Sequence, residues 1–200
     1  MASEIENDSQ TGLREMVESL NSFKLRFALI GGLAVGYRSR PRFTRDIDFL
    51  LDVPQVVLPR LLGTLQSRGF SFDTEQVIRE WTRDHFTVLS YHDVPIDWLK
   101  PILPLYRQVI ERATAENLWG FSLPIASPDG LILTKLVAFR GQDQVDIENI
   151  VATNGNRLDL DFIRRTWLTV ADEVDPRFVK FRELVAKSYS SAPPAEPPGG

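Results

Sequence analysis

Phe27-Ala28-Leu29-Ile30 is a short apolar run that stops at Gly31-Gly32. Such a run suits a buried strand ending in a tight turn, and Leu33 to Arg38 suits a helix opening directly after the glycines. The next ordered stretch, Asp46 to Asp52, alternates as a strand should. Ile47, Phe49 and Leu51 share one face, while Asp46, Asp48 and Leu50 share the other. A backbone bend without side chains is thus followed by a strand that carries two acids on one face.

Residues two apart on a strand project about 6.6–6.8 Å apart along it. Two carboxylates so placed repel each other unless something cationic lies between them. A pair of divalent ions about 3.5–4 Å apart suits that geometry and can hold both the attacking and the leaving oxygen of a phosphoryl transfer. The glycines let backbone approach a phosphate, and amides at the following helix start would face it. A third acid, Asp97, stands in Val94-Pro95-Ile96-Asp97-Trp98 and looks away from the face of Val94, Ile96 and Trp98. It completes a metal cage or accepts the proton of an attacking hydroxyl. Asp93, at the His92-Asp93 turn, is explained by local turn chemistry.

Composition narrows the ion. No cysteine is present and only two histidines occur, His85 and His92. Disulfides and thiolate sites are excluded, and carboxylates favour a hard ion, Mg2+ or Mn2+. The two histidines read as structural or solvent-facing. The polar, acidic start does not resemble a signal peptide, and no apolar run approaches a membrane span. The expectation is a cytoplasmic protein without membrane contact. A net charge of −4 argues against broad nonspecific nucleic-acid binding but leaves room for a local basic patch.

Residues 1–11 and 190–200 read as disordered tails, the second rich in proline and glycine. Pro54 to about Arg68 reads as a helix, Phe70–Phe72 as a weak strand, and Thr74 as the cap of a short helix through Trp81. Phe86–Tyr91 and Val94–Leu99 read as a hairpin, Leu103–Arg112 as a helix, and Leu118–Ile125 as extended. Ser127 caps a helix with Pro128 at its first position, ending near Gly141. Helices over Asp143–Val151, Leu160–Val170 and Pro176–Ser188 follow. The expected fold class is α+β: a mixed sheet flanked by helices over 12–125, then a helical bundle over 126–189, either as two units or within one compact unit.

A Gly-Gly turn, a short helix and then Arg42-Phe43-Thr44-Arg45-Asp46-Ile47-Asp48 resembles the polymerase-beta-type nucleotidyltransferase superfamily, and more narrowly its AbiEii/AbiGii toxin-like branch. The resemblance covers roughly Leu13 to Val151. It implies the minimal nucleotidyltransferase fold, with Gly31 and Gly32 on the nucleotide phosphates and Asp46 and Asp48 on magnesium. Asp97 matches the third acid by position. Lys135 and Asp143 resemble the lysine and the arginine–acid motif that line the site in the toxin branch. Gly32 stands where many members have serine, so backbone amides would serve there alone.

Arg38, Arg40, Arg42 and Arg45 crowd guanidinium groups just before the acids, and Arg42 and Arg45 are the first choices for a triphosphate or RNA. Lys135 either snorkels from an apolar helix or aims at phosphate. Asp143 and Asp146 also suit a helix start, which is the preferred reading for Asp146. The expected activity is transfer of a nucleoside monophosphate from a nucleoside triphosphate (NTP) to tRNA or a protein. By the resemblance, the chain is the toxin of a pair with an antitoxin partner. The rival readings are a nucleotidyltransferase acting on a small molecule of aminoglycoside type, and a nucleotide-binding protein that no longer catalyses.

Overall fold

The computed structural model describes residues 2–190. Its elements run in the order α1 (Ala2–Ser22), β1 (Arg26–Ile30), α2 (Gly31–Arg38), β2 (Ile47–Asp52), α3 (Leu58–Ser67), β3 (Phe70–Ser71), α4 (Thr74–Arg83), β4 (Phe86–Tyr91), β5 (Val94–Leu99), α5 (Pro104–Glu111), β6 (Thr114–Leu118), β7 (Phe121–Ile125), α6 (Pro128–Ala138), α7 (Gly141–Asn154), α8 (Leu160–Trp167) and α9 (Pro176–Ser190). The strands form one mixed sheet in the order β3-β4-β5-β2-β1-β7-β6. β2 and β5 are parallel, as are β1 and β7, and the other pairs are antiparallel. This is the α+β class expected.

The centre of the sheet is β2, with β1 and β5 on either side. Its register sets Ile30 against Asp48 on one flank and Asp97 against Asp48 on the other. The glycine turn that follows Ile30 is therefore brought beside one acid, and that acid is brought beside another.

α6 carries Leu131, Ile132, Leu133 and Leu136 at 0% exposure, and it packs against α2, α5, α7, α8 and α9. A helix apolar on all sides belongs at a core, and this one joins the two halves of the chain. Ser127 caps it by accepting the Gly130 amide at 3.1 Å, with Pro128 at its start, as the sequence indicates. It stops at Phe139, whose φ of 47° is left-handed, slightly before the expected end. One buried apolar cluster includes Leu29 and Phe49 of the sheet together with Ile150 and Trp167 of the later helices.

Several expectations need correction. Residues 2–11 are helical, the first half of α1, where composition pointed to a tail. Tertiary contact decides this: Asp8 lies 3.0 Å from His92 Nδ1, and Gly12 lies against the Tyr91 ring on the β4–β5 hairpin. The expected tail over 190–200 lies outside the described residues, apart from Ser190. α3 begins at Leu58 rather than Pro54, because a turn from Pro54 O to the Val57 amide comes first. Asp73, not Thr74, caps α4, accepting the Gln76 amide at 2.8 Å. β6 was not anticipated. Its residues, Thr-Ala-Glu-Asn-Leu, are mostly polar because it is an edge strand with little buried surface.

Two glycines test this packing with opposite signs. A Cβ on Gly12 would come 2.9 Å from Tyr91, so Gly12→Ala should destabilise by about 1–3 kcal/mol. Gly63 lies inside α3 with nothing within 4 Å of such an atom, so Gly63→Ala should stabilise by up to about 1 kcal/mol. Urea denaturation of the two variants measures both.

Candidate active site

Gly31 has a φ of +66°, and a Cβ there would fall 1.8 Å from Asp48 Oδ2. The left-handed backbone and the closeness of the carboxylate both require glycine. The Gly32 amide donates to that carboxylate. At Gly32, a Cβ would meet Arg42 Nη2 at 2.6 Å and Thr44 Oγ1 at 2.7 Å. The volume a serine side chain would take is thus filled by a guanidinium and by the hydroxyl of Thr44.

Asp48 and Asp97 are directly opposed on neighbouring parallel strands, which lie about 4.8 Å apart. Asp46 precedes β2 and lines the same cleft, of about 600 Å³. The three acids selected from the sequence therefore meet on one side of the sheet. Burial first, then the charge of Asp46, pushes the Asp48 carboxyl up, while Lys135, the Gly32 amide and Arg140 pull it down. Burial, then Asp48 and Asp46, pushes Asp97 up to about 6. Among the described residues no cation forms an ion pair with any of the three.

The cations nearby are held by other acids. Lys135 Nζ lies 2.9 Å from Asp143 Oδ1 and 2.8 Å from Asp146 Oδ2, and all three residues are nearly inaccessible. The ammonium donates a hydrogen bond to Asp143 and is held to Asp146 as an ion pair. Asp146, which is 0% exposed, also takes Arg42 Nη2 at 3.3 Å and Gln142 Nε2 at 3.1 Å. Arg42 Nε stands 3.1 Å from its other oxygen, though poorly angled for a hydrogen bond. Asp143 Oδ2 accepts the Arg140 amide at 2.9 Å and Arg140 Nε at 2.8 Å. Burial raises the Asp143 carboxyl, but the bonds from Arg140 and Lys135 outweigh it and hold the group below its ordinary value.

Of the residues expected to bind nucleotide, Gly31, Gly32, Arg42, Arg45, Lys135 and Asp143 all line the cleft. Arg45 alone among the charged ones is exposed and without an ion-pair partner among the described residues. Arg42 is committed to Asp146, and Asp143 faces cations rather than offering itself to an anion. Arg38 is structural: it bonds Glu116, Thr114 and the carbonyls of Ile125 and Ala126, clamping α2 to the β6–β7 hairpin. Arg140 and Thr44 line the cleft and were not singled out. For Arg140 a signal existed, since an acid at the third helical position that reaches back to the cap amide is a known start pattern. Asp146 proves structural, as its sequence context suggested.

The donor set fits a hard divalent ion. It is all oxygen, and its mutual repulsion is only partly relieved by Lys135, Arg140 and the Gly32 amide. Among the described residues no three acidic or histidine groups already surround one cation position. Such an open arrangement suits Mg2+, which is commonly held by one or two carboxylates and completed by substrate phosphates.

Lys135→Met would leave Asp143 and Asp146 short of a buried cation, and should cost about 3 kcal/mol in chemical denaturation. Asp97 tests the opposite case. An acid with a raised folded pKa contributes stability below its ordinary value of 3.8 and loses it as pH rises through about 6. Asp97→Asn removes that loss. In the metal-free protein at pH 7.5 the gain should be about 1 kcal/mol after discounting for solvent, or about 2–4 °C in midpoint by calorimetry. At pH 4.5 most of the gain should vanish.

A candidate nucleotidyltransferase from H. pylori has the same fold, with a TM-score of 0.50 at 16% identity over 95% of this chain and 98% of that one. The antibiotic-resistance factor ANT(2'')-Ia, solved with adenylyl-2''-tobramycin, aligns with a TM-score of 0.49 at 15% identity over 91% of this chain and 98% of that one. A curated Arabidopsis thaliana protein, described as "Probable phospholipid-transporting ATPase 5", is 29% identical over 127 residues, which are 60% of this chain. The chain spans about a tenth (10%) of that protein's length. The family model described as nucleotidyl transferase AbiEii toxin of type IV toxin–antitoxin systems matches residues 14–187, and the chain accordingly belongs to the AbiEii family of nucleotidyltransferases.

Proposed function

We propose that this nucleotidyltransferase binds an NTP with Mg2+ or Mn2+ and transfers the nucleoside monophosphate to an RNA hydroxyl, tRNA being the leading candidate. The observation that carries this is the in-register opposition of Asp48 and Asp97 beside the Gly31 turn, with Asp46 on the same cleft. Asp46, Asp48 and Asp97 would hold the metal, which when bound neutralises phosphate charge and polarises the α-phosphorus. Amides at the start of α2, the exposed Arg45 and the charge of Lys135 would orient the triphosphate. Arg140 would add charge from the helical wall.

Asp97 then has the second task of taking a proton. The acceptor oxygen forms a bond to the α-phosphorus while the bond to the bridging oxygen breaks. Pyrophosphate leaves with that electron pair, and the acceptor's proton passes to Asp97. The role of Arg42 is to hold its loop against α7 through Asp146, and that of Asp143 is to hold Lys135 and Arg140 in place.

The character of the helical wall supports one class of acceptor over the other. A polycationic small molecule of aminoglycoside type would need an acidic wall. Here the charged wall residues are Lys135, Arg140 and Asp143, and the one acid is already paired with both cations. That favours a polyanion. The toxin role and an antitoxin partner follow from the family, and growth arrest on induction, relieved by a neighbouring gene product, would support them.

The test is incubation with each α-labelled NTP, Mg2+ and total RNA or protein extract. Labelled RNA is expected, with Asp46→Ala and Asp48→Ala each reducing transfer by about a thousandfold. Undiminished labelling by either variant would overturn the assignment, and label confined to protein would overturn the acceptor.

A further inference from the structure

The β4–β5 hairpin has an open face that none of the roles above uses. Opposed residues on antiparallel strands share a face, with Cβ atoms about 4.5–5.5 Å apart. The register sets Phe86 against Leu99 and Val88 against Asp97. The reverse face, with Thr87, Leu89, Ile96 and Trp98, is buried. On the open face Phe86 is 40% and Val88 45% exposed, and Leu99 is half-buried. Two large apolar side chains thus stand in water immediately beside Asp97. β3 covers only the far end of β4, pairing with Ser90 and Tyr91, so the end carrying Phe86 stays open.

Direction matters as much as exposure. β1, with the glycine turn, lies on one side of β2, and β5 and β4 lie on the other. A triphosphate held at the glycine turn leaves the β5–β4 side for whatever meets Asp97. Phe86 and Leu99 line the same cleft as Asp48, Asp97 and Lys135. A flat apolar platform next to a carboxylate fits the face of a planar ring, and the platform offers no polar group with which to read the ring's edge. Aromatic stacking of this kind tolerates any base but requires that the base be unpaired.

We propose that Phe86, with Val88 and Leu99, forms an acceptor subsite that stacks the nucleobase next to the attacking hydroxyl of a single-stranded RNA end. The proposal rests on RNA being the acceptor. The exposed Arg140, which lines the same cleft, suits the phosphates of such a strand better than it suits a peptide of mixed charge. Phe86 determines which acceptors are used and leaves the choice of nucleotide to other residues.

Transfer kinetics with total RNA, counted as 3′ ends, provide the test. Phe86→Ala should raise the KM for RNA about ten- to a hundredfold while leaving the KM for the NTP and its calorimetric affinity unchanged. Phe86→Tyr, which keeps the ring, should behave as wild type. Val88→Ser, which leaves the ring in place, should raise the RNA KM severalfold. Val56→Ala, at an exposed residue away from the cleft, should change nothing. RNA labelled by wild type and by Phe86→Ala with the same KM would overturn the subsite alone. An equal loss of NTP affinity would place Phe86 at the nucleotide and also overturn it. Wild-type label found on protein and not on RNA would overturn the subsite together with the acceptor on which it rests.

Discussion

A buried lysine between two buried aspartates ties α6 to α7, and one of those aspartates ties both to the loop before β2. Lys135 belongs to α6, Asp143 and Asp146 to α7, and Asp146 reaches Arg42 in the loop that leads into β2. Each charge in this set would be costly alone in so dry a position, and each is matched by others of opposite sign. The loop bearing Phe43, Thr44 and Arg45 is therefore fastened to a helix about a hundred residues later in the chain. Without that fastening, nothing in the loop's own sequence would keep Thr44 beside Gly32.

This arrangement separates charge within a small space. The cations paired with Asp143 and Asp146 therefore only partly relieve Asp48 and Asp97 across the cleft. Had Lys135 reached across to Asp48, the metal-free protein would be more comfortable but the carboxylates would be less available. The upward shifts of Asp48 and Asp97 measure how incomplete the relief is. A divalent ion arriving with a triphosphate would bring positive charge to the acids and leave the phosphate oxygens to the amides and Arg45. Repulsion that costs the metal-free protein stability would become affinity for that ion.

What the sequence discloses follows from how local each cause is. The glycine turn and the acids on β2 are legible because strand alternation and a bend without side chains depend on neighbouring residues. Asp97 is legible to the extent that its face can be read from Val94, Ile96 and Trp98, but the parallel pairing that brings it to Asp48 is a property of the whole sheet. The partner of Arg42 could not be read, since an aspartate near a helix start is explained equally well by the helix dipole. The same degeneracy concealed Arg38, whose clamp on the β6–β7 hairpin needs a strand too polar to recognise. α1 shows the converse error. Polar composition pointed to a tail, and contact with the hairpin through Asp8 and Gly12 made it a helix.

The hairpin so contacted is also the one that carries Asp97, and this gives α1 a bearing on the site. Asp8 and Gly12 engage its turn end at His92 and Tyr91, and Trp81 of α4 meets Trp98 edge-on at 5.9 Å beneath it. A two-stranded hairpin at the side of a sheet is marginal by itself. Here its inner face is covered by helices, while β2 fixes β5 along four paired residues. The outer face can then remain exposed without loosening the register that sets Asp97 against Asp48. Rigidity on one face is what permits an apolar surface on the other to wait in solvent for a ligand.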